Sequence, residues 1–218
     1  MISKNIILKN FYSLKINKQI KLELNKILDS KNEVINSLKK EFRLNYDLKK
    51  LKIKKKFNLR IIGIGGSILG AKAIFSFLSN TIKKKISFID NLEIDNLKQT
   101  KKNFTNLIIS KSGNTLETIV NSNLLIKKND QNIFLTEQKE NYLNSLAQKL
   151  KSEVISHNNF IGGRYSVLSE TGMLPAELMG LDVSQFKQLN SLVKNPNFLR
   201  ALVNNVSSTL HFFKKKKV

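Results

Sequence analysis

The chain has 218 residues, of which 41% are hydrophobic and 25% are charged, a globular composition that excludes a wholly disordered protein. It contains no cysteine, which excludes disulfide bonds, cysteine-ligated metal centres and a thiolate nucleophile. The net charge of +22 comes mainly from 34 lysines spread along the chain, with only four arginines, so we expect no specific nucleic-acid ligand. No apolar run approaches the roughly 20 residues of a membrane span, and the first residues lack a signal core. We therefore expect a cytoplasmic protein without a membrane partner.

Residues 1–58 are predicted to be an N-terminal helical segment. They contain neither glycine nor proline, and their apolar residues recur at helical spacing. This spacing predicts one helix near residues 18–28 and a second near residues 31–45. We interpret the segment as a helical cap on a larger domain that begins at residue 59.

Short apolar runs alternate with helical periodicity from residue 59 onwards. Strands are predicted at 59–64, 86–89, 106–110 and 132–136, with the start of a fifth at 154–155, and helices at 68–78, 115–128 and 138–150. Apolar strands that alternate with helices are typical of a parallel sheet that is buried on both faces. We therefore predict an α/β domain over residues 59–183, a three-layer αβα sandwich with a mostly parallel sheet.

The strand pattern ends after residue 170, and three helices are predicted at 172–181, 184–193 and 197–213. Pro196 fits the first turn of the last helix. A long helix in an α/β chain usually leads to another strand. We therefore expect residues 184–218 to lead to a second α/β domain, as part of a longer protein. The alternative is a solvated lysine tail, Lys214–Lys217, on a complete domain.

Four of the nine glycines lie in the stretch Gly63-Ile-Gly-Gly-Ser-Ile-Leu-Gly70, between a predicted strand and a predicted helix. Successive backbone N–H groups at such a turn form an anion cradle with the helix N-terminus behind them, and Ser67 adds a hydroxyl. The stretch departs from the dinucleotide-binding motif, because Ile68 replaces its last glycine. It also departs from the nucleotide phosphate loop, because Ala-Lys-Ala follows Gly70. A tight turn without a ligand is the alternative.

A second polar stretch, Ser110-Lys-Ser-Gly-Asn-Thr115, follows the third predicted strand and opens a helix. Its three hydroxyl side chains surround Gly113, which supplies backbone freedom. Ordinary helix capping needs only one such hydroxyl, so the cluster favours a bound phosphate dianion. Ligands of parallel α/β sheets bind at the carboxyl ends of the strands, and both polar stretches leave such ends. We therefore expect the two stretches to face one crevice and to bind a phosphorylated ligand.

A third stretch, Phe160-Ile-Gly-Gly-Arg-Tyr-Ser-Val-Leu-Ser169, places a rare arginine after paired glycines. A guanidinium group in a fixed position can stabilise negative charge that develops on a substrate oxygen. The alternative is a structural ion pair of Arg164 with Glu170 or Glu177. The local sequence favours neither.

The sequence Gly-Gly-Arg-Tyr-Ser-Val-Leu-Ser, which starts at Gly162, resembles the signature of the glucose-6-phosphate isomerase family. The other two stretches match the family in the same order, as Gly-Ile-Gly-Gly-Ser from Gly63 and Ser-Lys-Ser-Gly-Asn-Thr-Leu-Glu-Thr from Ser110. The match covers about residues 59–213. The resemblance implies a sugar-isomerase-type phosphosugar-binding domain that is followed, in the family, by a second one.

The resemblance also implies an aldose–ketose isomerase of glycolysis and gluconeogenesis, which interconverts glucose 6-phosphate and fructose 6-phosphate through an enediolate. It implies no cofactor, no metal, and a homodimer in the full-length form. By resemblance, the sugar carbons of the substrate lie beside Gly163 and Arg164. The residues at the phosphate group of the substrate are Gly65, Gly66, Ser67, Ser110, Lys111, Ser112 and Thr115. Arg164 is the catalytic residue of the site, placed to stabilise the enediolate.

The general base of the family is a glutamate in a Glu-Ser-x-Gly-Lys-like stretch, and no such stretch occurs in this sequence. Neither His157 nor His211 lies in a matching motif. We therefore expect a C-terminally truncated isomerase that is inactive, or nearly so, on its own. Two alternatives remain: a phosphosugar-binding sensor or regulatory domain without catalysis, and a polyanion-binding protein.

Overall fold

A computed structural model describes residues 17–51, 53, 58–92, 104–127 and 130–216. The helices are α1 (Lys18–Asp29), α2 (Glu33–Ser37), α3 (Leu69–Leu78), α4 (Leu116–Leu125), α5 (Tyr142–Lys149), α6 (Glu170–Met179), α7 (Leu189–Val193) and α8 (Pro196–Lys216). The strands are β1 (Asn58–Ile62), β2 (Ile86–Ile89), β3 (Phe104–Ile109), β4 (Gln131–Thr136) and β5 (Glu153–Ser156). The first sixteen residues of the predicted helical segment, and the end of the lysine run at Lys217, lie outside the described residues.

The chain divides into two compact units, one formed by residues 43–186 and the other by residues 1–42 and 187–218. The first unit contains a five-stranded sheet in the order β2-β1-β3-β4-β5, and all four strand pairs are parallel. β1 is paired with β2 on one side and with β3 on the other. The predicted α/β fold with a parallel sheet is confirmed.

Both faces of the sheet are covered, which explains the buried apolar runs in the central strands, Ile61–Ile62, Leu107–Ile109 and Ile133–Leu135. Consecutive side chains of a strand point to opposite faces, so Ile61 and Ile62 belong to different core clusters. Ile61 packs in the cluster that includes Ala71 of α3 and Leu174 of α6. Ile62 packs with Leu143 and Ala147 of α5, and the end of α4 packs against the same cluster. The three layers are therefore α3 and α6, the sheet, and α4 and α5.

A polar network lies towards the amino ends of the central strands. The half-buried Arg60 guanidinium donates to the Leu125 carbonyl at 3.0 Å and lies 3.8 Å from the centre of the Phe104 ring. Burial lowers the pKa of Arg60, and the charge of Asp130 opposes that shift. The Asp130 carboxylate accepts hydrogen bonds from the Asn106 amide at 3.1 Å and from the Phe104 N–H at 3.3 Å. Asp130 thus satisfies backbone and side-chain donors and balances a partly desolvated cation.

The second unit is helical in its described part. Asn17 caps α1, and its Oδ1 accepts from the N–H groups of Gln19 at 3.0 Å and Ile20 at 3.2 Å. Pro196 is the first residue of α8, as predicted, and the Asn195 side chain accepts from the Asn197 N–H at 2.9 Å. No helix in the described ranges is long and apolar enough to cross a membrane.

Four predicted helices are shorter than expected. Those predicted over 115–128 and 138–150 are confined to Leu116–Leu125 and Tyr142–Lys149, and the other two are interrupted. The helix predicted over 31–45 is helical only at Glu33–Ser37, and from Leu38 onwards N–H groups bond to carbonyls three residues back. The helix predicted over 184–193 is divided into a 3₁₀ turn, Val183–Phe186, and α7. Apolar periodicity persists through both segments, but short helices are marginal in water and break into tighter turns.

Candidate functional site

The loops that follow β1 and β3 start side by side at the carboxyl edge of the sheet. In the strand order β2-β1-β3-β4-β5, the connection after β1 leads to one side and the connection after β3 leads to the other. Ligands of open parallel sheets bind between two such strands, at their carboxyl ends. The first loop starts against the end of β3, because a Cβ atom added to Gly63 would lie 2.9 Å from the Ile109 carbonyl oxygen. The two polar stretches therefore start at neighbouring positions on one edge of the sheet, and a shared ligand crevice stays a prediction.

The first loop turns sharply at Gly65, whose φ of +54° favours glycine. The residues Gly65–Ser67 form a single 3₁₀ turn, in which the Ile68 N–H donates to the Gly65 carbonyl at 3.1 Å. Helix α3 begins at Leu69, directly after the turn. Gly66 and Ser67 are therefore partly exposed at the start of a helix.

The second loop gathers three hydroxyl groups. Thr115 Oγ1 lies 2.9 Å from Ser110 Oγ and 3.5 Å from Ser112 Oγ. Thr115 is the N-terminal cap residue of α4, but its side chain makes no capping hydrogen bond to the helix. Gly113, with a φ of +69°, donates its N–H to Ser110 Oγ at 3.2 Å. Three hydroxyls at the N-terminus of a ten-residue helix are suited to the oxygen atoms of a phosphate group.

Lys111 is directed away from the hydroxyl cluster. Its Nζ donates to the Asn159 carbonyl at 2.7 Å and lies 3.6 Å from Glu137 Oε1. Asn159 precedes the third loop and Glu137 follows β4, so Lys111 connects the second loop to two neighbouring segments. The sequence had placed Lys111 at the phosphate end, and the structure shows its ammonium engaged with protein atoms.

The third loop packs on the first through main-chain atoms. A Cβ atom on Gly66 would lie 2.5 Å from the carbonyl carbon of Gly163, so only glycine fits this contact. Ser166 Oγ donates to the Gly163 carbonyl at 2.8 Å and to the Gly66 carbonyl at 3.4 Å. The 3₁₀ segment Gly163–Leu168 is thereby fixed against the first loop.

The Arg164 side chain is exposed, and within the described residues it makes no hydrogen bond or ion pair. A structural ion pair with Glu170 or Glu177 is therefore not formed. The buried Glu170 carboxylate accepts instead from the Asn45 N–H at 3.0 Å. Arg164 is a cation next to the Gly66–Gly163 contact, and no carboxylate of the described residues forms an ion pair with it.

The loop between β4 and α5 supports the second loop, which the sequence did not indicate. The Asn141 side chain lies directly on Gly113, where a Cβ atom would come within 2.1 Å of its Cγ. The N–H of Leu143 donates to the Gly113 carbonyl at 3.1 Å, and that of Tyr142 to Asn114 Oδ1 at 2.9 Å. Asn141 is also the capping residue of α5, a signal that could have located this support.

His157 lies buried at the carboxyl end of β5. Burial lowers its pKa, and a contact of 2.8 Å between Nδ1 and the Asn158 carbonyl opposes that shift. The imidazole is therefore neutral near pH 7. Among the described residues, no three histidine, aspartate or glutamate side chains are grouped as metal ligands.

Comparison with known proteins identifies relatives of the chain. The family model described as Phosphoglucose isomerase matches residues 15–194. The glucose-6-phosphate isomerase of Methanocaldococcus jannaschii is 32% identical over 178 residues, which cover 73% of this chain and 43% of that protein. The glucose-6-phosphate isomerase of Mycoplasmoides gallisepticum is 36% identical over 142 residues, covering 57% of this chain and 33% of that protein. The chain thus spans less than half the length of these curated relatives.

Solved structures support the fold. A hypothetical protein of Thermus thermophilus superposes with a TM-score of 0.64 at 20% identity, over 89% of this chain and 52% of that one. A glucosamine-6-phosphate deaminase from Thermotoga maritima gives a TM-score of 0.50 at 21% identity, over 76% of this chain and 51% of that one. At these identities the likeness concerns the fold alone.

Proposed function

Because the chain belongs to the phosphoglucose isomerase family, we propose that it binds glucose 6-phosphate and fructose 6-phosphate in the crevice between the loops after β1 and β3. Its relatives support an isomerase of the sugar-phosphate type. The observation that carries the proposal is the hydroxyl cluster of Ser110, Ser112 and Thr115, which lies beside the first glycine loop. Hydroxyl and backbone N–H donors at a helix N-terminus bind a phosphate dianion without a metal or a cofactor.

In this proposal the sugar extends from the phosphate towards the third loop. Proton transfer between C2 and C1 of an open-chain sugar phosphate passes through an enediolate, whose oxygen atoms carry negative charge. A guanidinium beside those atoms lowers the energy of the enediolate more than that of the neutral carbonyl. The exposed Arg164, which follows the Gly66–Gly163 contact, is the group that we assign to this role.

We further propose that the 218-residue chain binds its ligand but does not turn it over. No Glu-Ser-x-Gly-Lys-like stretch occurs in it, and general bases contribute about 10²–10⁴-fold to a rate. The homodimeric state and the cytoplasmic location implied by the family belong to the same proposal. Both phosphate loops and Arg164 are nevertheless present, so binding and turnover are separable in this chain.

Isothermal titration calorimetry with glucose 6-phosphate tests the proposed binding. Glucose, which lacks the phosphate, serves as the ligand control and should not bind detectably. Thr115→Val removes the hydroxyl that both serines approach, and we expect about a tenfold loss of affinity, because hydrogen bonds to charged groups contribute about 1.5–3 kcal/mol. Equal binding of glucose, or an unchanged affinity of the valine variant, would contradict the proposal.

Thr118→Val is the matched control for this variant. Thr118 lies in the first turn of the same helix and is buried, and its hydroxyl has no hydrogen-bond partner among the described residues. The same substitution there should leave the affinity for glucose 6-phosphate unchanged. A coupled assay that reports glucose 6-phosphate formed from fructose 6-phosphate tests turnover, and a clear rate would contradict the proposed inactivity.

The alternative function is a non-catalytic phosphosugar-binding domain, which would use the same phosphate loops. The two functions differ in what Arg164 does. A sensor domain would use Arg164 for ground-state binding, so Arg164→Ala would weaken affinity strongly. An isomerase site needs Arg164 chiefly for the enediolate, so the affinity for substrate would change little.

A further inference from the structure

We propose that Glu137 is a positioning residue, which holds the hydroxyl loop after β3 in place through the ammonium group of Lys111. This inference deepens the proposed function and rests on it for the identity of the ligand. Neither the sequence nor the family motifs pointed to Glu137. Its assignment comes from the contacts that it makes at the carboxyl end of β4.

Glu137 holds Lys111 at both its side chain and its main chain. Only 11% of the Glu137 side chain is exposed, and its Oε1 lies 3.6 Å from Lys111 Nζ. The backbone N–H of Glu137 also donates to the Lys111 carbonyl at 3.1 Å. Lys111 lies between two of the clustered hydroxyl residues, so a fixed Lys111 fixes the main chain that carries them.

Two further contacts complete the link. Lys111 Nζ donates to the Asn159 carbonyl at 2.7 Å, which ties the second loop to the segment before the third. Lys139 Nζ lies 2.6 Å from Glu137 Oε2 and holds the other side of the carboxylate. Hydrogen bonding to Lys139 lowers the pKa of Glu137, and the charge of Lys111 acts in the same direction, so the carboxylate is ionised at neutral pH.

The charge of Glu137 gives the proposal a test with a definite sign. A carboxylate next to an anion site repels the anion, so electrostatics alone predicts that its neutralisation strengthens phosphate binding. A positioning role predicts the opposite, because the neutral side chain no longer holds the ammonium that orders the loop. The direction of the change in phosphate affinity therefore distinguishes a positioning role of Glu137 from simple electrostatic repulsion.

The experiment compares Glu137→Gln with Glu140→Gln by calorimetry with glucose 6-phosphate. Glu140 lies on the same β4–α5 loop, is exposed, and makes no hydrogen bond or ion pair within the described ranges, so its variant removes the same charge without the link. We expect Glu137→Gln to weaken binding about two- to fivefold, the range for a single partly exposed ion pair. Glu140→Gln should bind equally or slightly more tightly, and Glu137→Asp should recover part of the loss.

A double-mutant cycle tests whether the effect passes through Lys111. In a Lys111→Met background, Glu137→Gln should cause no further loss of affinity, because the ammonium that it orients is absent. Independent, additive losses would overturn the proposal. Tighter binding by Glu137→Gln in the parent chain would also overturn it.

Hydrogen exchange gives a readout that needs no ligand. The Gly113 N–H, which donates to the Ser110 carbonyl at 3.1 Å, reports the order of the loop. We expect Glu137→Gln and Lys111→Met each to raise its exchange rate about two- to fivefold, with Glu140→Gln unchanged and global unfolding monitored in parallel. If the parent chain binds no sugar phosphate, the proposed function fails, and exchange still decides the role of Glu137. Unchanged exchange in both variants would overturn the proposal.

Discussion

Replacement of Gly66 by alanine tests whether the crevice depends on direct contact between two main chains. The added Cβ would lie 2.5 Å from the carbonyl carbon, 2.6 Å from the oxygen and 2.7 Å from the Cα of Gly163. All three are backbone atoms, so no side chain can rotate away. Carbon atoms pack best at about 3.5–4.0 Å, so the first and third loops would have to separate by about 1 Å.

The expected cost follows from this displacement. Overpacking that shifts the backbone usually costs about 1–3 kcal/mol, so we expect the free energy of unfolding of Gly66→Ala to fall by that amount. With a urea dependence of about 2 kcal/mol per M, the midpoint of unfolding would fall by about 0.5–1.5 M. The affinity for glucose 6-phosphate should fall about tenfold or more, because a displacement of about 1 Å is costly in a preorganised site.

Gly162→Ala is the matched control, since it makes the same change one residue before the contact. Gly162 has a φ of −70°, and its nearest neighbour, a carbon of the Tyr165 ring, lies 4.0 Å from the added Cβ. We expect its stability to be unchanged or raised by up to about 1 kcal/mol, because alanine restricts the unfolded chain. If Gly66→Ala matches this control in both unfolding and binding, the steric reasoning is refuted.

Three further outcomes are expected. Arg164→Lys should change the affinity for glucose 6-phosphate less than about twofold, and a tenfold loss by calorimetry would make Arg164 a ground-state ligand. Because burial lowers the pKa of His157, the unfolded chain binds its proton more readily, so the free energy of unfolding should fall as the pH drops below about 6.5. His157→Gln should flatten that dependence in urea titrations at several pH values; an unchanged slope would contradict it. Asp130→Asn should lower the free energy of unfolding by about 1–2 kcal/mol, as it removes the charge opposite Arg60, and an unchanged urea midpoint would count against that role.

The strands were predictable because a parallel sheet buried on both faces leaves an unambiguous apolar pattern. The strand predicted at 86–89 matches β2 to the residue. The apposition of the first two loops was also predictable, since parallel strands deliver their carboxyl ends to one edge. The end of helix α2 at Ser37 was not predictable, because apolar spacing is compatible with both an α-helix and a succession of tight turns.

The support of the candidate site could not be predicted from local pattern. The contact of Asn141 with Gly113 depends on how α5 packs against the sheet, and the Gly66–Gly163 contact depends on the path of the chain after β5. Neither produces periodicity in the sequence. The contacts of Lys111 were not predictable either. The motif places Lys111 next to the hydroxyl residues but does not show that its ammonium binds the Asn159 carbonyl.

The hydrogen bond from Ser166 to the Gly66 carbonyl joins residues that are 100 positions apart in the chain. Closure of so long a segment is entropically costly, and contacts of this kind form after local structure. A nascent chain would contain both phosphate loops well before the crevice is closed. A ligand that binds only the closed crevice would therefore stabilise the folded chain. At a concentration 100 times its Kd it would add about 2.7 kcal/mol to the free energy of unfolding.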